Sequence, residues 1–387
     1  MQITIAQIIA HAIYDAGARV VTHVPGVGGT EIFAAFCEIS PETHQRSFHE
    51  EVAYSIAHGA SLVGQRSATL IKAHGLAKAA NSVINSLSAG TTAGFVGLVF
   101  DDRLAKHSDS IFNVAVLLQG LGIPYRRLQM KDAYWEVQDA FTWSEALQLP
   151  VALLIDTDNL GEMETYTPVQ SGASSRNYQR DVTQHVVGPF FPEYQRQVLD
   201  AKLTGQNWRI LKRPTLPTIP DTLPKVSQPL ARLYMPLFAV FQKLRGDIVT
   251  GDTSTSTLFA FPPYHCIDVC TYIGGSIPLA IGAYLAGYEN TWALTGDFSF
   301  IAAGHLGLIE AIQRNIPMKV LIFNNGKAQA TGGQPVPTGV LERILMGYEP
   351  YLRHIHNPQD ASEIETVLQE ASQAQEMRIV VADYREG

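Results

Sequence analysis

The chain has 387 residues, about two and a half domain-sized units, with 46% apolar residues, 17% charged residues and 31 glycines. That balance excludes a disordered protein, and a formal charge of −8 with no basic run makes the chain a poor binder of nucleic acid or of a membrane surface. Three cysteines, Cys37, Cys266 and Cys270, can neither build a disulfide framework nor fill a four-cysteine iron–sulfur cluster. No apolar stretch is long enough to span a bilayer, and the N-terminus, with Asp15 and no early basic cluster, does not read as a signal peptide. The expectation is a cytoplasmic α/β enzyme.

Ile5, Ile8, Ile9, Ala12, Ile13 and Ala16 recur at helical spacing, so the chain opens with an amphipathic helix that Gly17 ends. Short apolar runs at 20–24, 68–71, 95–100 and 151–155 then read as strands. Helical patterns at 51–62, 111–121 and 132–147 lie between them. Continuous apolar strands separated by helices predict a parallel sheet covered on both faces. Residues 166–229 break the rhythm with Pro168, Pro189, Pro192, Pro214, Pro217, Pro220, Pro224 and Pro229, a density that predicts an extended connector without long helix. Its Phe190, Phe191, Tyr194 and Trp208 predict that it packs on a domain surface. From about residue 230 the alternation returns, with strands at 247–250, 292–295, 318–323 and 378–383 and helices at 276–286, 301–313 and 364–371. The organisation expected is an α/β domain over 1–165, a proline-rich linker over 166–229 and a second α/β domain over 230–387.

The strongest chemical signal is Gly296-Asp297 after one strand and Asn324-Asn325-Gly326 after the next, with 28 residues from Asp297 to Asn325. Both stand at the carboxyl ends of strands, the edge where open α/β sheets bind ligands. A carboxylate, an amide oxygen and a backbone carbonyl suit Mg²⁺ when phosphates complete the shell. Taken singly, each is an ordinary turn. The run Thr271, Tyr272, Ile273, Gly274, Gly275, Ser276 opens a helix, and so does Thr250, Gly251, Asp252, Thr253, Ser254. Glycines and a helix N-terminus offer free N–H groups to an anion, although both runs also read as turns and caps.

These pieces resemble the diphosphate-binding domain of the thiamine-diphosphate-dependent enzymes. The resemblance implies two thiamine-diphosphate-binding-type domains, each a parallel sheet with helices on both faces. It implies metal ligation by Asp297, Asn325 and the carbonyl of Lys327. Cofactor contacts would come from Gly251, Thr253, Gly296, Phe298 and Ser299, with Ile273 as the apolar wedge and the Thr271 carbonyl facing the pyrimidine amino group. On the pyrimidine side, Glu50 begins a helical pattern with Gly59 nine positions on. That matches the family's catalytic glutamate, which drives the pyrimidine to its imino form and creates the thiazolium ylid. Glu51 reads as its exposed neighbour.

Three further runs, His23 to Gly29, Lys72 to Asn81 and Asp101 to Ser108, resemble the α-subunit of indolepyruvate ferredoxin oxidoreductase, and they add Gly26 and Gly75 to the cofactor contacts. Thr331 to Pro335 is similar both to that family and to the phosphonopyruvate and sulfopyruvate decarboxylases. His74 and His107 are candidate proton donors to the carbanion/enamine that decarboxylation leaves, or else structural histidines. Lys72 either meets a substrate carboxylate or is solvated. Leu258, Phe259, Phe261 and Tyr264 either line an aryl pocket or are core or interface residues; Cys266 and Cys270 read as packing residues.

The expected activity is a thiamine-diphosphate- and Mg²⁺-dependent 2-oxoacid decarboxylase, working as a homodimer or a dimer of dimers on a small 2-oxoacid, without nucleic acid or membrane. The alternatives are an indolepyruvate-type oxidoreductase component needing a redox partner subunit with iron–sulfur clusters, and a non-catalytic cofactor-binding homologue.

Overall fold

The computed structural model describes residues 2–169 and 175–385. The chain divides into two compact units, one of Met1–Gln179 with Gln197–Ile210, the other of Arg180–Arg196 with Leu211–Gly387.

The first unit is built on five strands in the spatial order Val20–His23, Ser67–Lys72, Phe95–Asp101, Val151–Asp156 and Tyr125–Arg127, all parallel. Side chains alternate across a strand, and this sheet uses both faces. Val151, Leu153 and Ile155 enter a core with Ile9, Phe33 and Phe141, whereas Ala152 and Leu154 enter one with Ala57, Val83 and Leu118. The first core is covered by helices Ile5–Asp15, Gly29–Ile39 and Ala133–Leu147. The second is covered by Glu50–Leu62, Ala80–Ala89 and Val114–Leu121. The first helix starts where expected because Thr4 and Gln7 form a capping box. The pattern read at 111–121 begins only at Val114: Asn113 accepts the Val116 N–H at 3.2 Å as the cap and leaves Ile111 and Phe112 outside, exposed.

The second unit has six parallel strands in the order Leu352–Ile355, Arg378–Asp383, Lys319–Asn324, Thr291–Gly296, Ile248–Gly251 and Val269–Cys270. Lys319–Asn324 is buried along its whole length, as a strand covered on both faces must be. Leu258, Phe259, Phe261 and Tyr264 belong to this core and not to a substrate pocket. Phe259 stacks on Phe238 with centroids 3.8 Å apart, and Tyr264 meets Phe259 edge-on at 5.0 Å. Cys266 and Cys270 are buried and free, and burial pushes both thiols up to about 12.

The proline-rich segment differs from the expectation of a stretch without long helix. Pro192–Leu203 is a helix of 12 residues. It tolerates its proline because the first helical position has no N–H to lose from the hydrogen-bond ladder. Pro229 sits likewise at the start of the helix Gln228–Leu244. The segment's aromatics do pack: Phe190 and Phe191 lie 4.7 and 5.6 Å from the Phe261 ring, and Trp208 donates to Gln148 at 3.2 Å.

Candidate functional site

In the second unit, Asp297 follows the strand Thr291–Gly296 and Asn325 follows its neighbour Lys319–Asn324, so both leave the carboxyl edge of the sheet side by side. They line an open cleft. Thr253, Ile273, Gly296, Phe298, Ser299 and Lys327 line the same cleft. Gly251 and Thr271 stand behind it: Gly251 ends a buried strand, close against Ile267, and the Thr271 carbonyl accepts the Thr253 hydroxyl at 3.1 Å. That carbonyl is thus occupied within the chain.

The cleft's loops are tied to one another. Asp297 is 1% exposed and accepts the N–H groups of Phe298 at 2.8 Å and Gly326 at 2.6 Å, which joins the two strand-end turns. Burial pushes its carboxyl above the usual range, opposed by those N–H groups and by the charge of Arg385. The Asn325 oxygen accepts the Lys327 N–H at 3.0 Å, and its amide nitrogen donates to the Tyr234 hydroxyl at 2.9 Å. Burial pushes the Tyr234 phenol up to about 12, which keeps it neutral.

Asp252 is fully buried beneath the cleft. It accepts the Ser276 N–H at 2.8 Å and the Thr295 hydroxyl, so it fastens the Thr250 to Ser254 loop to two others. Burial pushes Asp252 up to about 6. Gly274, at φ +85°, takes a conformation side chains rarely adopt, and a Cβ there would stand 2.6 Å from Ala303. Ala303 lies in the π-helical turn Phe300–Gly304 that follows Asp297. Such π-bulges are frequent at functional sites.

Among the described residues, no group of three or more His, Cys, Asp and Glu side chains could hold a metal ion. A metal in this cleft would rest on mixed oxygen donors, the Asp297 carboxylate, the Asn325 amide oxygen and the Lys327 carbonyl. That set fits Mg²⁺, a hard cation that keeps water or phosphate oxygens on its remaining positions.

In the first unit, Glu50 opens the helix Glu50–Leu62, which is buried from Val52 onward. Thr22 and Ser67 donate to the Ala53 and Ala57 carbonyls at 2.9 and 2.7 Å and lock this helix to the sheet. Glu50 rests on Gly75, where a Cβ would come within 2.7 Å of its Cγ. Lys78 Nζ is 3.0 Å from Glu50 Oε2 as an ion pair, but Oε2 is buried and makes no aligned hydrogen bond. Glu51 is not the exposed neighbour expected. It is half-buried, accepts from Asn81 at 3.1 Å, and is pushed up by burial.

His74 is exposed, 2.9 Å from the Ser110 hydroxyl and edge-on to Phe112 at 5.1 Å. It lines a small cleft with Lys72, Asp102 and Ser108. His107 engages through its backbone: its carbonyl accepts Lys72 Nζ at 2.6 Å and its N–H reaches Asp102 at 2.7 Å. Gly26 is close by, with Lys72 Cβ 3.5 Å from where its own Cβ would be. Tyr234 and Asp252 were not singled out from the sequence. Asp252, an acid directly after a strand, carried a usable signal; Tyr234, 91 positions before its partner, carried none.

Residues 250–378 match the family model described as the thiamine pyrophosphate enzyme, C-terminal TPP binding domain. That third of the chain is a TPP-binding domain of the thiamine pyrophosphate enzyme type. The chain resembles two archaeal proteins named indolepyruvate oxidoreductase subunit IorA. That of Methanothermobacter thermautotrophicus is 27% identical over 157 residues, 38% of this chain and 25% of the relative. That of Methanothermobacter marburgensis is 32% identical over 90 residues, 23% of this chain and 15% of the relative. The matches thus span a quarter or less of these relatives.

Solved structures share this fold along almost the whole chain. The thiamine diphosphate-dependent 4-hydroxybenzoylformate decarboxylase of Rhodococcus jostii RHA1 has a TM-score of 0.69 at 16% identity, covering 99% of both chains. The benzoylformate decarboxylase of Polynucleobacter necessarius has a TM-score of 0.67 at 12% identity, covering 98% of both.

Proposed function

We propose that this enzyme is a thiamine-diphosphate- and Mg²⁺-dependent 2-oxoacid decarboxylase, a carbon–carbon lyase. The observation that supports it most is the cleft at the ends of two adjacent parallel strands, lined by Asp297, Asn325 and Ile273. Asp297, Asn325 and the Lys327 carbonyl would hold Mg²⁺, with Thr253 and Ser299 beside the diphosphate. The cofactor, once bound, supplies the electron sink for cleaving the bond to the carboxyl group. Glu50, whose buried Oε2 is ion-paired with Lys78 but makes no aligned hydrogen bond, would share a proton with the aminopyrimidine ring. His74 and His107 would deliver the proton that replaces the departing CO₂, so that a 2-oxoacid and a proton become an aldehyde and CO₂. The reading includes a cytoplasmic homodimer or dimer of dimers; no helix among the described residues is long and apolar enough to cross a membrane.

A second reading, an oxidoreductase component, is favoured by the two IorA relatives. With three cysteines, its electrons would go to clusters on a partner subunit.

The test is a screen of aromatic, aliphatic and anionic 2-oxoacids with thiamine diphosphate, Mg²⁺ and no electron acceptor. Equal release of CO₂ and aldehyde from one class is expected. Turnover only with a dye or ferredoxin acceptor would move the assignment to the oxidoreductase.

A further inference from the structure

Asn325 presents two chemically opposite atoms, and only its oxygen can ligate a cation. The orientation of the amide therefore decides whether the residue is a ligand or a repulsive N–H group. One flank is held by a group that can only donate: the Lys327 backbone N–H, 3.0 Å from Oδ1. The other is held by the Tyr234 hydroxyl, 2.9 Å from Nδ2. A hydroxyl can donate or accept, so alone it would accommodate either orientation. With Lys327 on the oxygen side, the tyrosine must accept.

Tyr234 itself is held firmly. It is 1% exposed, stacks on Tyr384 with centroids 4.3 Å apart, and meets Phe323 edge-on at 5.5 Å. It comes from the helix Gln228–Leu244, outside the strand-end turns that supply the donors. It is an outer partner of the kind that orients a metal's own ligands.

We propose that Tyr234 is a positioning residue that anchors the Asn325 amide in the orientation the Lys327 N–H selects, with its oxygen held as the metal donor, and so sets the affinity of the cleft for Mg²⁺. This rests on the reading of the cleft as a metal and diphosphate site. Without the hydroxyl, the Lys327 N–H still selects the oxygen side, but Nδ2 loses its anchor and the amide is free to swing out of the donor position.

The experiment is a double-mutant cycle read by titrating Mg²⁺, and Mn²⁺ as a spectroscopic probe, into protein saturated with thiamine diphosphate. Tyr234→Phe keeps the ring and removes only the hydroxyl. It is expected to weaken metal binding about 10-fold, the lower end of what losing an outer-shell partner costs. In an Asn325→Asp background the ligand has two oxygens and no amide to turn, so the same substitution is expected to cost less than about threefold.

Metal-free thermal unfolding separates packing from orientation, since a purely structural loss would shift both backgrounds equally. An equal loss of metal affinity in both backgrounds, or none with Asn325 present, overturns the role of Tyr234. A wild-type protein that binds thiamine diphosphate equally well with and without Mg²⁺ overturns the metal reading of the cleft itself, whatever the variants do.

Discussion

In the unit that carries Asp297, the polar groups of the cleft are gripped from several sides. Asp297 accepts two backbone N–H groups, Asn325 is held at both ends of its amide, and Asp252 beneath them fastens three loops. In the other unit Glu50 leans on one glycine, meets one half-exposed lysine, and keeps a buried oxygen without an aligned hydrogen bond. Oxygen donors that hold an ion work best when nothing need move on binding. A carboxyl that exchanges a proton with a ligand needs an oxygen that is not locked in a network of hydrogen bonds. The contrast agrees with the proposed division of labour, in which one unit would bind the diphosphate and the other would handle protons.

The largest expected effect separates those roles. Glu50→Gln should lower turnover by about 10²- to 10⁴-fold, the range for a general acid–base group, in a steady-state assay of CO₂ release. Wild-type turnover in that variant would dissolve the contrast. Gly75→Ala should have a smaller effect by the same route, because the new Cβ would stand 2.7 Å from Glu50 Cγ and displace the carboxyl. A loss of about 10-fold or more in turnover is expected, with the melting temperature little changed, since misplacement of about 1 Å can cost that much. A large drop in melting temperature would mean that Gly75 serves packing and not the carboxyl.

The smallest expected effect is a difference in pH response. His23 in the first unit is buried, with Nδ1 3.1 Å from the Leu70 carbonyl, and burial pushes it from 6.5 down to about 4. Its folded value lies below its unfolded one, so the stability it confers is present above pH 6.5 and is lost as pH falls toward 4. Asp252 in the second unit is pushed from 3.8 up to about 6, so its contribution is greatest below pH 3.8 and is lost as pH rises through about 6. Between pH 7 and 5 each amounts to about 1–2 kcal/mol, with opposite signs. Hydrogen exchange, corrected for intrinsic rates, should show protection falling around residues 20–39 and rising around 250–257 and 274–281 as the solution is acidified. Asp252→Asn should abolish the rise. Parallel slopes in the two regions would contradict the assignment of these buried groups.

Much of the sheet framework was legible in the residues. Both parallel sheets follow from apolar runs separated by helical periods, and the juxtaposition of Asp297 with Asn325 follows from two turns at the ends of successive strands. The helix Pro192–Leu203 was not legible, because proline density hides that a proline in first position costs a helix nothing. Nor were the surroundings of Glu51, set by Asn81 from another helix; for Phe259 the residues left pocket and core both open, and Phe238 decides for the core. Tyr234 illustrates the general reason. Its neighbours in sequence are ordinary helix residues, and its partner is brought to it only by the packing of the whole unit.

The most direct test of the division of labour is calorimetric titration of thiamine diphosphate with Mg²⁺ into the wild type, Asp297→Ala and Glu50→Gln. The wild type should bind in a Mg²⁺-dependent manner, Asp297→Ala should lose about 100-fold in affinity, and Glu50→Gln should stay within about threefold of the wild type. Unchanged binding in Asp297→Ala, or loss of binding in Glu50→Gln instead, would contradict it.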